Sequence, residues 1–532
     1  MPIASSTRAL RSAVARPAAA RTTARSARPD EAVDSMVASG QQAPGRASWP
    51  LRALLAAACA GAIACAAATL PESGKTAPRP TAAPTTIDAA SAPPPKCTLG
   101  DAGPDGATTL GTALLSALRN ARFDQVIDLS PTADPSCARK GRCRPAPIAR
   151  MPSVDVAVIA FAPGCPPVFA NALLAHDLPA ARLNHIDPTT LAVRGVRFRR
   201  WDQARWDAKG PHMAPSTTAD DDIVPPRPGE PNIDFAVPYP ASNFKLLVAV
   251  AIMDLVDRGL LRLDDTFAHG TQTRTTREWL ADMITWSDDE STQAMIRQIH
   301  ALGAADRLNT LFERLGLATL QIHDTSPDTG RNWQPGRIHM TAWDTARLLW
   351  LLDPDAPPPT WRTPSGAPVD AKFLSVASKR LLLDLLGEQA FHDVLSTAAL
   401  CGAPRTSKGI PALLPQRWMG EDGHVRLDGT ARNGDARPCN AAAEVTFAHK
   451  TGLTQNFGSD AGIVRGIPGR ARRHYIITFF SNLGHRYTDA DKASGPDPCH
   501  DLGICYTQRI ASLGAAIDGV IESAIEEIPA TR

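Results

Sequence analysis

The chain has 532 residues, 43% of them hydrophobic and 21% charged, which is the balance of a globular protein and excludes a disordered or fibrous one. Its 56 Lys and Arg against 54 Asp and Glu leave a formal charge of +2, so there is no basic footprint for nucleic acid. Length predicts one to three domains. Residues 1–29 hold Arg8, Arg11, Arg16, Arg21, Arg25 and Arg28, with no acid before Asp30. That composition is like a transit peptide; the alternative is a true start at Met36. From there Arg46 and Arg52 precede an apolar run from Ala53 to Leu70, the pattern of an export signal. The run is short for a spanning helix, which needs about 20 apolar residues, so residues 53–70 read as a cleaved signal or as a membrane anchor. Cys65 follows Ala62-Ile63-Ala64, a poor match to a lipid-attachment site. Residues 1–70 are thus read as extension plus signal or anchor, and the product as exported, periplasmic or membrane-anchored. Residues 71–96 are rich in Pro, Ala, Thr and Ser and read as an extended linker.

Two of the 10 cysteines, Cys59 and Cys65, sit in the apolar run. The others are Cys97, Cys137, Cys143, Cys165, Cys401, Cys439, Cys499 and Cys505. An even number in an exported chain suits disulfides. Nearness in sequence suggests Cys137 with Cys143 and Cys499 with Cys505, while Cys401 and Cys439 would clip the base of one long insertion. No pair has C-x-x-C spacing, which disfavours zinc.

Residues 97–225 carry no chemistry we can identify and read as an accessory region or an extended N-terminal part of the next domain. Within them Thr112 to Leu129 has helical character, Val154 to Phe161 is strand-like, and Leu191 to Trp201 roughly alternates. Residues 226–532 read as the main domain. Leu246 to Leu263 is apolar almost all round, as in a buried helix. Thr276 to Leu302, Ala304 to Leu317, Thr341 to Leu352 and Ser378 to Leu386 are further helical stretches. Val445 to His449, Gly458 to Val464 and His474 to Phe480 read as strands, and Ile510 to Ile528 as a closing helix. Helices in the middle and strands late argue for an α+β fold, an antiparallel sheet covered by helices.

Three short motifs carry the chemistry. Ser242-Asn243-Phe244-Lys245 is the only S-x-x-K in the chain, and Lys450-Thr451-Gly452 the only K-T-G. Between them lies Ser287-Asp288-Asp289. With a helix starting near Ser242, Ser242 and Lys245 share one face. A serine hydroxyl needs a base to become a nucleophile, and a lysine serves when burial disfavours its ammonium. Ser at a helix start is also an ordinary cap. Ser287 would pass a proton to a leaving nitrogen, and Asp289 would face a substrate amide. As a plain turn, Ser-Asp-Asp is equally ordinary. Lys450 would attract a substrate carboxylate, Thr451 would hydrogen-bond it, and Gly452 would let the backbone come close. The N–H groups of Leu453 and Ser242 would form an oxyanion hole.

With these motifs the sequence resembles the class A β-lactamases and the related penicillin-binding D-Ala-D-Ala peptidases. Pro240-Ala241-Ser242 through Asp265, Met283 to Asp288, Thr341-Ala342 with Leu348-Leu349, and His449 to Gly452 leading to Asp460-Ala461-Gly462-Ile463-Val464 carry the resemblance, over roughly 232–532. It implies a five-stranded antiparallel sheet with flanking helices plus a helical subdomain, and an acyl-serine cycle with no metal or other cofactor. Catalytic roles fall to Ser242, Lys245 and Ser287, and substrate contacts to Asp289, Lys450, Thr451, Gly452 and Leu453. The partner would be a small β-lactam or a peptidoglycan peptide. Two departures matter. Asp289 stands where the family usually has Asn, and an ionised carboxylate cannot donate a hydrogen bond. The loop from Leu320 to Trp333 contains no Glu for deacylation; Asp324, Asp328 and, more remotely, His323 are the substitutes in reach. Three readings follow: first, and preferred, a class A-type hydrolase that turns over β-lactams; second, a cell-wall peptidase, transpeptidase or esterase using the same serine and deacylating β-lactams slowly; third, a non-enzymatic penicillin sensor or peptidoglycan-binding protein.

Overall fold

The computed structural model describes residues 97–526, apart from 104–106, 130–144, 149, 176–177, 179, 195, 199–235, 403–405, 428–429, 432–433 and 494–506. The expected signal or anchor, the linker, and Cys137, Cys143, Cys499 and Cys505 lie outside the described residues. Among the described residues no helix is long and apolar enough to cross a membrane.

A sheet organises the rest. Its strands are β1 (Val154–Ala160), β2 (Val168–Leu174), β3 (Arg182–Leu183), β4 (Val445–Leu453), β5 (Gly458–Gly466) and β6 (His474–Ser481). They lie in the order β4-β5-β6-β1-β2-β3, every neighbour antiparallel. Five are long, as the resemblance implied, and β3 adds a two-residue edge. The boundary expected at 225/226 does not divide this sheet. β1 pairs with β6 from Ala160↔Tyr475 to Val154↔Ser481. The described strands between residues 154 and 183 therefore supply three of the six in this sheet, which fits the reading of this region as an extended N-terminal part of the next domain rather than as an accessory one.

All of β1 is buried, because both faces of the sheet are covered. Side chains alternate across a strand. Ala157 and Ile159 join the core beneath the middle helices, while Val154, Val156, Val158 and Ala160 join a second core. That second core is built on α1 (Thr109–Asn120) and the last helix, α8 (Arg509–Glu526). The one charged residue of β1, Asp155, is buried, and its carboxylate accepts from Asn171 Nδ2 at 2.7 Å and from the Ala342 amide at 2.9 Å. Burial still pushes its carboxyl up to about 6.

The middle helices are α2 (Lys245–Asp257), α3 (Thr276–Thr285), α4 (Asp289–Ala301), α5 (Ala305–Arg314), α6 (Ala342–Leu352) and α7 (Val376–Gly387). α2 and α6 are buried nearly all round, as their continuous apolar sequences require. The chain from Thr276 to Leu302, expected as one helical stretch, is two helices. It breaks where Ser287 takes a left-handed backbone, φ 69°. Asp288 then restarts the helix by accepting from the Ser291 amide at 2.7 Å. The helical reading of Thr112 to Leu129 is also corrected: α1 ends at Asn120, and Ile127–Asp128 form a short strand.

Cys401 and Cys439 are bonded as the insertion suggested. A second disulfide, Cys97–Cys165, ties the first described residue to the turn between β1 and β2.

On the α8 side of the sheet, His392 is fully buried with its ring 4.5 Å from that of His449 on β4. His449 Nδ1 meets Asp460 Oδ1 at 2.8 Å across to β5. Burial drives the imidazoles down and the Asp460 carboxyl up, so the neutral forms are favoured. For His392 the causes are burial and then His449, with the Gln389 backbone opposing them. A histidine held neutral when folded contributes stability that is present above its unfolded value of 6.5 and lost as pH falls toward its folded value. We expect wild type to lose stability relative to His392→Phe below that pH, approaching about 1.4 kcal/mol per unit. Urea unfolding of both proteins between pH 8 and pH 5 measures it; parallel curves would refute the assignment.

Candidate active site

The turn that carries Ser242, the candidate nucleophile, is set by backbone shape. Ala241, just before Ser242, is buried with a left-handed φ of 48°, and Ala241–Phe244 form a short 3-10 turn that runs into α2. The regular helix thus begins at Lys245, not at Ser242. Ser242 remains partly exposed at the helix mouth. Among the described residues, Ala241, Ser287, Asp324 and Asn332 make up four of the six non-glycine residues with positive φ. Ala241 directly precedes the first motif, Ser287 opens the second, and Asp324 and Asn332 lie in the 320–333 loop. Such backbone costs about 1–3 kcal/mol each and persists only where surroundings enforce it.

Lys245 is fully buried, and its ammonium is surrounded by the second motif. Nζ donates to the Ser287 carbonyl at 2.5 Å, meets Ser287 Oγ at 3.2 Å and reaches Asp289 Oδ1 at 2.6 Å. The Asp289 side chain is 54% exposed, so one end of this ion pair faces solvent. Lys450 comes in from β4, also fully buried. Its Nζ donates to Ser287 Oγ at 2.9 Å and to the Thr451 carbonyl at 2.7 Å. Burial, and after it the nearby Lys245 charge, hold Lys450 well below its usual range. Ser287 Oγ therefore joins the two lysines and is placed to relay a proton between them.

Gly452 closes the arrangement. A Cβ there would lie 2.7 Å from the Ser242 amide nitrogen, 2.5 Å from the Pro240 carbonyl oxygen and 2.5 Å from Ser459 Oγ. No side chain fits, so glycine is what lets the K-T-G strand abut the nucleophile turn. Ser459 Oγ ties the same two pieces, donating to the Pro240 carbonyl at 2.5 Å and accepting from Asn243 Nδ2 at 2.8 Å. Ser242, Lys245, Ser287, Asp289, Lys450, Thr451 and Gly452 are thus brought to one place, with Leu453 continuing β4 beyond them. Sequence reasoning missed Asn243 and Ser459. Asn243 sat unremarked inside the first motif, and Ser459 has no motif.

The 320–333 loop is fastened to the nucleophile turn from two sides. Tyr239 Oη donates to the Trp333 carbonyl at 2.5 Å, and the Trp333 ring packs 5.4 Å from that of Phe244. Its acids are engaged elsewhere or exposed. Asp324 pairs with Arg337 and is 65% exposed, and Asp328 is exposed. His323 Nε2 lies 2.8 Å from Gln321 Oε1, and its ring packs against His339.

Residues 236–495 match the model of the beta-lactamase enzyme family. No curated protein matches the chain. Among solved structures, the chain is similar to a beta-lactamase from Sphaerobacter thermophilus at 14% identity and TM-score 0.37, covering 77% of this chain and 97% of that one. PBP-A is similar at 18% identity and TM-score 0.33, over 71% of this chain and 93% of that one. A point mutant of PBP-A, solved as an acyl-enzyme complex with penicillin G, is similar at 21% identity and TM-score 0.31, over 55% and 83%. The three motifs, and with them the whole of the site described above, lie inside the segment that matches the beta-lactamase enzyme family, residues 236–495.

Proposed function

We propose that this serine enzyme opens β-lactams on Ser242 and releases the resulting acyl group slowly, as a penicillin-binding peptidase does. The observation that carries the reading is the Ser287 hydroxyl, 3.2 Å from Lys245 Nζ and 2.9 Å from Nζ of Lys450, which lies on the strand whose Gly452 abuts the Ser242 turn. In the proposed cycle the Ser242 Oγ–acyl bond forms as the lactam C–N bond breaks. The hydroxyl proton passes by Lys245 and Ser287 to the leaving nitrogen. Lys450 and Thr451 take the substrate carboxylate, whose charge draws a proton from the Lys245 ammonium through Ser287 Oγ onto Lys450 and so leaves Lys245 neutral to accept the Ser242 proton. The amides of Ser242 and Leu453 receive the developing oxyanion, a contribution of about 2.7–4 kcal/mol per donor. Water then cleaves the ester.

Slow release is supported by the loop. It has no Glu, Asp324 is committed to Arg337, and Asp328 stands in solvent. The competing reading, a β-lactamase that turns over rapidly, requires a water-activating base from one of these groups. A peptidoglycan peptide is the natural alternative acyl donor, since it offers the same amide and carboxylate. We place the protein outside the cytoplasm, which the two disulfides among the described residues support.

Intact-protein mass spectrometry after mixing with benzylpenicillin tests the cycle. The adduct is expected to form and persist for many minutes, and Lys245→Ala to slow its formation by roughly 10²–10⁴-fold. An adduct that disappears within seconds as product accumulates would establish the rapid β-lactamase instead. The Lys245–Asp289 ion pair predicts a second effect. A carboxylate at 2.6 Å competes with Ser242 for the lysine, and it cannot donate to a substrate carbonyl as an amide can. Asp289→Asn is therefore expected to acylate faster; a slower variant would show that the carboxylate assists the reaction.

A further inference from the structure

A buried strap leads from α7 into the stapled insertion and touches both halves of the site from behind. Gln389 is fully buried, and its Nε2 donates to the Ile284 carbonyl at 2.8 Å. The Ala390 amide donates to the Thr285 carbonyl at 2.7 Å. These are carbonyls of the last turn of α3, which have no partner within the helix. Gln389 Oε1 meanwhile accepts from the Ala390 and Phe391 amides, at 3.1 and 3.3 Å, so the side chain also fixes the strap's own turn. Two residues beyond Thr285 stands Ser287, in its left-handed backbone.

Further along, the strap reaches the K-T-G strand. His392 packs on the ring of His449, the neighbour of Lys450, and the Leu395 amide donates to Asp460 Oδ2 at 3.2 Å. It then enters the insertion closed by Cys401–Cys439, whose small apolar core packs against Trp286. One stretch of chain thus grips the base of the Ser287 turn and the back of the Lys450 strand, and the disulfide closes the insertion behind it.

We propose that Gln389 is a positioning residue, which with the disulfide-closed insertion sets Ser287 Oγ at hydrogen-bond distance from both lysines. The inference rests on the acyl-serine reading above. Gln389 touches no substrate. It acts by fixing the end of α3, so its loss displaces Ser287 while Lys450 and Thr451 stay in place to bind.

The test uses the full chain and two variants, Gln389→Met, which keeps the volume without the hydrogen bonds, and the double variant Cys401→Ser with Cys439→Ser. Benzylpenicillin acylation, followed by mass over a concentration series, separates the acylation rate constant from the preceding noncovalent dissociation constant. We expect the rate constant to fall about ten- to hundredfold, in line with a displacement of about 1 Å, and the dissociation constant to stay near wild type. Amide hydrogen exchange should quicken at residues 284–289. Should Gln389→Met fail to fold, the double cysteine variant decides. Wild-type acylation in both variants, or equal losses in both constants, would overturn the inference. If wild type itself takes no label, the acyl-serine reading fails, and exchange alone judges the strap: unchanged protection at 284–289 overturns it, faster exchange supports it.

Discussion

Everything at this site depends on keeping two fully buried lysines within reach of one serine hydroxyl. Like charges in a low-dielectric interior repel strongly, and each ammonium loses its water. The protein meets this in two ways. Lys245 is given a carboxylate partner in Asp289 and a backbone carbonyl in Ser287. Lys450 is pressed toward its neutral form by burial and by Lys245, so two full charges need not coexist. Ser287 joins the pair because a hydroxyl can both donate and accept. Its left-handed backbone, the break between α3 and α4, and the glycine contact of β4 with the nucleophile turn all serve that one placement.

The sheet explains why the lysine of β4 is reliable in position. β4 is an outer strand of the main sheet, but it is paired along its whole length with β5, from Val445↔Gly466 to Leu453↔Gly458. β5 and β6 are paired in turn, and β1 locks β6 from the other side. Ser242 comes from the helical layer, on the short turn that leads into the almost wholly buried α2. The site is therefore a seam between two rigid parts, and Gly452, Ser459 and the Gln389 strap are what fasten it.

Much of this was legible in the sequence because it is local. An i, i+3 pair at the start of an apolar helix and a K-T-G at the end of a strand pattern need no distant information. Cys401 and Cys439 were readable because they flank the insertion they close. What escaped was long-range or conformational. β1 gave a clear strand pattern, but its partner β6 lies more than 300 residues away, so the choice between an accessory region and an extended N-terminal part of the next domain stayed open for residues 97–225. The residues from Thr276 to Leu302 fit helical spacing throughout, and only a positive φ at Ser287 splits them. Gln389 and Ser459 carry no motif; their importance lies in what they touch. Cys97 and Cys165 are separated by 68 residues, with Cys137 and Cys143 nearer candidates.

We propose that the three motifs act together on an acyl group carried by Ser242. The most direct measurement is a crystal structure of the protein soaked in benzylpenicillin. An ester is expected on Ser242 Oγ, its carbonyl oxygen between the amides of Ser242 and Leu453, and the penicillin carboxylate against Lys450 and Thr451. An acyl group on any other residue, or a ligand whose carboxylate lies away from Lys450, would contradict it.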